Sequence, residues 1–152
     1  MIPRMNIFQT APDAMKAMLA VEATFENSGL EHSLIELVKL RASQINGCAF
    51  CIHMHVTDAV KHGESNMRIH LLDAWRESPL YTDRERAALN WTESLTGIAE
   101  TGAPDEDYEL LKAHFDDKQI AYLTVAVAAI NFWNMIQISL RAVHPVEQAA
   151  AA

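Results

Sequence analysis

Two cysteines and two nearby histidines form the side-chain group with the clearest chemical potential. They lie in the segment Cys48-Ala-Phe-Cys51-Ile-His53-Met-His55, and Cys48 and Cys51 are the only cysteines of the 152-residue chain. A disulfide that closes so short a loop constrains the unfolded chain very little. A structural role for the pair is therefore disfavoured, which leaves chemical reactivity or metal binding.

The spacing of these residues places three of them together if the segment is helical. At about 100° per residue, Cys51 and His55 fall within a sector of about 60° that includes Cys48. Unpaired backbone N–H groups in a first turn, and the helix dipole, stabilise a thiolate. A thiolate can attack a peroxide or a disulfide, and a second thiol can resolve the resulting sulfenic acid to a disulfide. The segment thus offers a nucleophile, a resolving thiol and a base.

Three other interpretations compete with a redox dithiol. Cys48, Cys51, His53 and His55 are all acceptable zinc ligands, but His53 falls about 140° from Cys48 on the helix, so the four cannot close one tetrahedron. A zinc site with three of these ligands, completed from elsewhere in the chain, stays open. Covalent haem attachment needs His directly after the second cysteine, where Ile52 stands. Two small buried residues with a surface histidine remain the third possibility.

Composition bounds the partners and the architecture. The chain has 12 Lys and Arg against 20 Asp and Glu, for a net charge of −8, and it lacks a basic cluster suited to nucleic acid or an anionic membrane. The first ten residues contain no apolar core of signal-peptide length, so we expect a cytoplasmic location, where thiols stay mostly reduced. The length fits a single domain over residues 1–152.

Apolar residues recur at helical spacing throughout, and no segment alternates as a strand would. The pattern predicts an all-α fold. The expected helices are about 10–28, 31–44, 48–62, 65–76, 82–97, a short one with Pro104 as its first residue, and 117–143. Residues 120–130 of the last helix are almost wholly apolar yet too few to span a bilayer. We expect this helix to be a central core element, or to be buried partly by another subunit.

The residues around the cysteines resemble a known family. Glu36, eleven intervening residues and then Cys48-x-x-Cys51-x-x-x-His55 are similar to the core motif of the alkylhydroperoxidase AhpD family, within the carboxymuconolactone decarboxylase superfamily. The similarity extends from about Met5 to about Arg141. It includes the segments that begin at Glu36, Leu72 and Glu85, which resemble small peroxidase-related members.

This resemblance implies an all-helical AhpD-like domain that assembles into homo-oligomers, trimers or hexamers. It also implies a thiol-dependent peroxidase of antioxidant defence that reduces organic hydroperoxides. Cys51 would be the peroxidatic nucleophile, Cys48 the resolving thiol, and Glu36 and His55 the proton relay. A redox-active Cys48–Cys51 disulfide would replace any bound cofactor or metal. A lipoyl-bearing or thioredoxin-like dithiol protein would reduce it.

One position departs from the family pattern. The best-known AhpD proteins carry a further relay histidine directly before the second cysteine, where this chain has Phe50. An apolar ring cannot pass a proton, so a shorter relay is expected. The decarboxylases of the superfamily generally lack the cysteine pair, which argues against decarboxylation here. The remaining alternatives are a dithiol adaptor that relays electrons to a partner peroxidase, and a metal-binding structural module.

Overall fold

The computed structural model describes residues 2–146, and within that range the chain is all-helical, without a strand. This confirms the predicted fold class. The chain also contains two short 3₁₀ helices, Thr24–Asn27 and Leu72–Ala74. The α-helices are α1 (Ile7–Thr10), α2 (Pro12–Ala23), α3 (His32–Asn46), α4 (Ala49–Lys61), α5 (Asn66–Leu71), α6 (Asp83–Thr96), α7 (Ile98–Thr101), α8 (Asp105–Lys112) and α9 (Asp117–Ser139).

Helix α3 is the central element, because α4, α6 and α9 all pack against it. It is buried on nearly every side, from Leu34 to Ser43, including the polar residues Glu36 and Lys39. Burial of a carboxylate and an ammonium is costly unless each has a partner. Helix α3 therefore carries two charged side chains into the interior, and each of them needs a partner there.

The long apolar helix α9 is less central than its composition suggests. Leu123, Ala126, Val127 and Ile130 pack inward, whereas Val125 and Met135 are exposed, Met135 by 69%. Helix α9 is thus not wholly buried within one chain, although α2, α3, α4, α6 and α8 all contact it. The alternative expectation, partial burial by another subunit, stays a prediction. The outward-facing residues recur at spacings of three and four, and they are Ala121, Val125, Ala128, Phe132 and Met135.

Helix α9 also meets the length and composition of a candidate membrane span. Its most apolar 18-residue window has a mean hydropathy of 1.3, and 39% of that window is buried against the rest of the chain. It is the one such helix among residues 2–146. Asn134, near its C-terminal end, is fully buried against α3. A core helix of a helical domain passes the same test, so the finding alone carries little weight.

Several predicted helix ends differ from the structure. Pro104 is the residue before α8, with an extended ψ of 148°, and not its first helical residue. Helix α9 ends at Ser139 instead of Val143, because Arg141 adopts a positive φ of 56°. Arg4 then occupies the freed carbonyls, since its backbone N–H donates to Leu140 and its side chain to Ser139.

Other segments were divided differently from the prediction. The helix expected over 65–76 ends at Leu71 and tightens into the 3₁₀ turn that follows, so it never reaches Arg76. Helices α1 and α7 were not predicted, since a single turn of four residues carries too little periodic signal. Thr82 and Glu85 form a capping box at the start of α6, in agreement with the helix predicted to begin at about residue 82.

Candidate active site

A glycine turn between α3 and α4 positions the two cysteines. Gly47 adopts the left-handed conformation (φ 69°) that ends α3, and the chain then enters α4 with Cys48 as its N-cap. Cys48 Sγ accepts a hydrogen bond from the backbone N–H of Cys51 at 3.4 Å. Cys48 therefore lies just outside the regular helix, where the sequence analysis had placed it inside.

The two sulfurs face one another in the interior. The structure pairs Cys48 with Cys51 as a disulfide, with the Cα atoms 5.4 Å apart, and each residue is only 1% exposed. They pack with Ala42 and Ile130, and Phe50 and Trp133 cover this cluster. Neighbouring side chains therefore shield both sulfurs from the molecular surface.

Glu36 reaches the site from α3, which the sequence could not establish. His55 Nδ1 donates a hydrogen bond to Glu36 Oε2 at 2.8 Å, and both side chains are buried. Burial opposes ionisation of Glu36, yet the hydrogen bond from His55 and the nearby Lys39 charge outweigh it and lower the pKa of Glu36. An ionised carboxylate thus orients the imidazole.

The other ring nitrogen of His55 is free to act. His55 Nε2 is buried, and it has no hydrogen-bond partner within residues 2–146. Such an atom normally finds a partner in a folded protein, so an unpaired one at this place is a candidate for catalytic use. The second carboxylate oxygen of Glu36 faces His32 Nε2 at 3.8 Å, and the His32 side chain is 57% exposed. His32, which was not among the site residues predicted from the sequence, therefore also adjoins the buried dyad.

A cavity of about 400 Å³ opens onto Cys51 and His55. Cys48 does not line it, and borders instead a separate cavity of about 130 Å³ beside Arg141. The wall of the larger cavity is mostly apolar. Its apolar side chains are Phe8, Leu19, Phe50, Met54 and Trp133.

Four charged side chains complete the wall of this larger cavity. They are Glu22, Glu36, Lys39 and Asp58. Lys39 is 6% exposed and forms an ion pair with Glu22, whose other oxygen accepts a hydrogen bond from Trp133 Nε1 at 2.9 Å. Neither Lys39 nor Trp133 was among the site residues predicted from the sequence, yet both border the cavity.

The two thiols of the reduced pair differ in acidity. A hydrogen bond from the Cys51 thiol lowers the pKa of Cys48 to about 7, against the opposing effect of burial. The same shared hydrogen bond, together with burial and the Cys48 charge, raises the pKa of Cys51. The pair therefore releases its first proton readily and retains its second, with the remaining proton held between the two sulfurs.

A polar network from α9 supports the cysteines, and sequence reasoning only touched on it. Asn134 Nδ2 donates to Ser43 Oγ at 3.0 Å, and Asn46 Nδ2 donates to the side-chain oxygens of Asn131 and Asn134. The Asn134 amide also lowers the pKa of Cys48, although the hydrogen bond with Cys51 is the larger cause. The sequence signal for this network was three asparagines, Asn131 and Asn134 on the apolar helix α9 and Asn46 at the end of α3.

The remaining predicted ligands are not brought together. His53 stacks on His144, with ring centroids 5.0 Å apart, and it does not line the cavity that holds Cys51. Its direction agrees with the helical phase that separated it from the cysteines. Within residues 2–146, no group of three or more His, Cys, Asp or Glu side chains is arranged to hold a metal ion.

Comparison with known proteins identifies a family, a sequence relative and a solved structure that are similar to this chain. The model of the carboxymuconolactone decarboxylase family matches residues 12–94. The uncharacterized protein YdfG of Bacillus subtilis is 41% identical over 140 residues, which cover 92% of this chain and 95% of YdfG. The solved structure of ATU0492 from Agrobacterium tumefaciens, a protein of unknown function proposed to be the antioxidant defence protein AhpD, superposes with a TM-score of 0.92. It is 52% identical, with 96% of this chain and 100% of that chain covered.

A more remote structure shares the fold alone. The debrominase Bmp8 superposes with a TM-score of 0.82 at 15% identity, over 91% of this chain and 75% of that chain. The helical architecture therefore accompanies different chemistries, and a fold does not by itself define an activity. The family match and the full-length similarity to YdfG and ATU0492 lead to one conclusion: the chain belongs to the carboxymuconolactone decarboxylase family, with an AhpD-like helical fold.

Proposed function

We propose that this protein is a thiol-dependent peroxidase that reduces organic hydroperoxides through Cys51, in antioxidant defence. The observation that carries the proposal is the convergence of Cys51, His55 and Glu36 at one apolar cavity, with Cys48 directly behind Cys51. A hydroperoxide with a compact apolar group suits a cavity of about 400 Å³ walled by aromatic and aliphatic side chains. The AhpD-type description proposed for ATU0492 agrees with this chemistry.

The first step uses the proton that the two sulfurs share. As Cys51 attacks the terminal oxygen of the hydroperoxide, its proton passes to the Cys48 thiolate, an S–O bond forms, and the O–O bond breaks. The alkoxide leaves and takes a proton from Nε2 of the His55 imidazolium, which the Glu36 carboxylate stabilises from the other side. The products are an alcohol and a Cys51 sulfenic acid, and the peroxide has gained two electrons.

The second step closes the disulfide. Cys48 attacks the Cys51 sulfur, the S–O bond breaks, and the departing hydroxide combines with the Cys48 proton to form water. An external dithiol then supplies two electrons and two protons, which restore one thiol, one thiolate and the His55 imidazolium. The pair itself stores the electrons, so we propose that no bound cofactor or metal takes part. A lipoyl-bearing or thioredoxin-like protein would be the reductant.

The cavity favours a peroxidase over a dithiol adaptor. Both would exchange electrons with a second protein, so burial of the sulfurs does not distinguish them. A peroxidase also needs a site for the hydroperoxide beside its nucleophile, and the cavity that Cys51 and His55 line supplies one. The absence of a clustered ligand set among the described residues also leaves the zinc module without a supporting observation.

We also propose how the protein assembles and in which compartment it works. The exposed apolar stripe of α9 supports assembly into homo-oligomers, because monomers rarely expose a contiguous apolar face. A compartment that keeps thiols reduced, such as the cytoplasm, would suit a cycle that begins from the dithiol.

The decisive experiment measures peroxide consumption and disulfide formation together. The reduced protein is mixed with one equivalent of cumene hydroperoxide, and the alcohol and the protein mass are followed. We expect the parent to form one alcohol per chain and to lose the mass of two hydrogens, and both C48S and C51S should abolish that mass loss. C48S should still consume one peroxide and accumulate a sulfenic acid, whereas C51S should consume none. Peroxide consumption by C51S at the parent rate would overturn the assignment.

A further inference from the structure

The charges around the substrate cavity suggest a selectivity beyond peroxide reduction. We infer that the cavity selects hydroperoxides with a neutral organic group and rejects those that carry a carboxylate. The inference rests on the proposed peroxidase function for its kinetic test. It is based on the signs and positions of the charged side chains that line the cavity, which are Glu22, Glu36, Lys39 and Asp58.

The cavity offers no unpaired lysine or arginine to an anionic substrate, and the charge of the His55 imidazolium in the proposed cycle is balanced by Glu36. Lys39 is the one Lys or Arg among its lining residues, and its ammonium is already paired with Glu22. Glu22 is itself held by a hydrogen bond from the indole N–H of Trp133. Glu36 is ionised against His55. A substrate carboxylate would therefore have to displace Glu22 from Lys39 to gain a partner.

Asp58 is placed where the far end of a substrate would lie. It follows Cys51 by seven residues on α4, so it shares the same helix face to within about 20° and lies about 10 Å farther along the axis. Met54 and His55 fill the interval between them on the cavity wall. An aromatic hydroperoxide with its peroxide oxygens at Cys51 and its ring along the α4 wall would bring a para-carboxylate near Asp58, and like charges at such distances repel.

A matched pair of substrates isolates this effect. The substrates are cumene hydroperoxide carrying a para-carboxylate and its methyl ester, which share the reacting group and differ in charge. We expect kcat/KM for the acid to be at least about tenfold lower than for the ester. D58N should raise the acid-to-ester ratio several-fold, and E22Q should raise it further because it frees Lys39 for the substrate.

A control variant separates the cavity from the overall negative charge of the protein. E109Q removes one exposed carboxylate of α8, which pairs with Lys112 and does not line the cavity. Its ratio should match that of the parent at every salt concentration, whereas a ratio that rises equally in E109Q and D58N would assign the effect to long-range charge. E22Q leaves Lys39 unpaired and can fail to fold, and D58N then decides the question.

Binding of the product alcohols to the oxidised protein gives a second readout. Calorimetry should show tighter binding of the ester alcohol than of the acid alcohol, and D58N should reduce the difference. Equal kcat/KM values for acid and ester, or a ratio that D58N leaves unchanged, would overturn the inference. If neither hydroperoxide is reduced and the alcohols still bind with the expected preference, the peroxidase proposal fails while the charge selection stands.

Discussion

Glu36 and His55 are nineteen residues apart in sequence and belong to different helices, yet Nδ1 of the histidine lies 2.8 Å from a carboxylate oxygen of the glutamate. The Gly47 turn reverses the chain between α3 and α4 and brings the two side chains together. Since both are buried, water does not weaken the contact. The dyad is therefore a fixed structural unit that holds His55, the proposed general acid, in one orientation toward the cavity.

Substitution of the dyad tests that orientation directly. E36Q keeps the size of the side chain but removes the charge that stabilises an imidazolium at His55. We expect kcat/KM with cumene hydroperoxide to fall by about 100-fold. E93Q is the matched control, because Glu93 is also a part-buried carboxylate with side-chain donors, Arg41 and Trp75, but it lies outside the cavity. Equal rates for E36Q and the parent would remove Glu36 from the mechanism.

The ionisation of the cysteine pair should be visible in solution. Because the pKa of Cys48 is lowered to about 7, the thiolate absorbance of the reduced protein should appear with a midpoint near pH 7 and disappear below it. C51A removes the thiol hydrogen bond that is the largest cause, so the midpoint should move up toward that of a free cysteine. C51S keeps a hydroxyl donor and should shift less. A midpoint unchanged in C51A would contradict this account.

The lowered pKa of Glu36 has a consequence for acid stability. In the unfolded chain a glutamate titrates at about 4.3. A folded pKa below that value means that Glu36 contributes stability above the unfolded pKa, and that this stability is lost as the pH falls through the folded value. We expect urea denaturation to show the parent more stable than E36Q at neutral pH, with the difference shrinking as the pH falls below about 4.

The amide network of α9 should affect both stability and thiol acidity. N134A leaves Ser43 and Asn46 short of a partner in the interior, and we expect a loss of about 1–3 kcal/mol in the free energy of unfolding. N134A should also raise the thiolate midpoint slightly, since the Asn134 amide lowers the pKa of Cys48. N131A belongs to the same network through Asn46 and Thr96, so it should lose stability and leave the midpoint unchanged.

The apolar stripe of α9 predicts how the chain assembles. Val125→Glu with Met135→Glu places two charges on this stripe, and we expect light scattering to report a monomer where the parent is an oligomer. Leu110→Glu with Met67→Glu is the matched control, because both residues are exposed apolar side chains on other helices. A parent that is monomeric at all concentrations, or an assembly that the stripe variant preserves, would contradict the prediction.

The fold was largely predictable because its signals are local. Periodic apolar residues indicated most of the helices, and the break expected between residues 44 and 48 corresponds to the turn at Gly47. The errors occurred where a boundary depends on a remote group. The end of α9, for example, is set together with Arg4, which lies 135 residues away and binds its last carbonyls.

The site was predictable only along one helix. Helical phase placed Cys51 and His55 together, whereas no local pattern could show that Glu36 reaches His55 or that Lys39 and Trp133 border the same cavity. Those contacts depend on the packing of α3 and α9 against α4. The family resemblance supplied Glu36, but not the ion pair of Lys39 with Glu22, which is a property of the packed core.

Cys48 has a structural role in α4 in addition to its role in the redox chemistry. Its sulfur is the N-cap of α4, so the atom that is oxidised also satisfies the backbone N–H of Cys51. An anionic sulfur accepts such a bond far better than a neutral disulfide sulfur, and it also interacts favourably with the helix dipole. Amide hydrogen exchange in the first turn of α4 should therefore slow on reduction above pH 7 and quicken on oxidation. Fraying of this turn would then report the redox state of the cysteine pair.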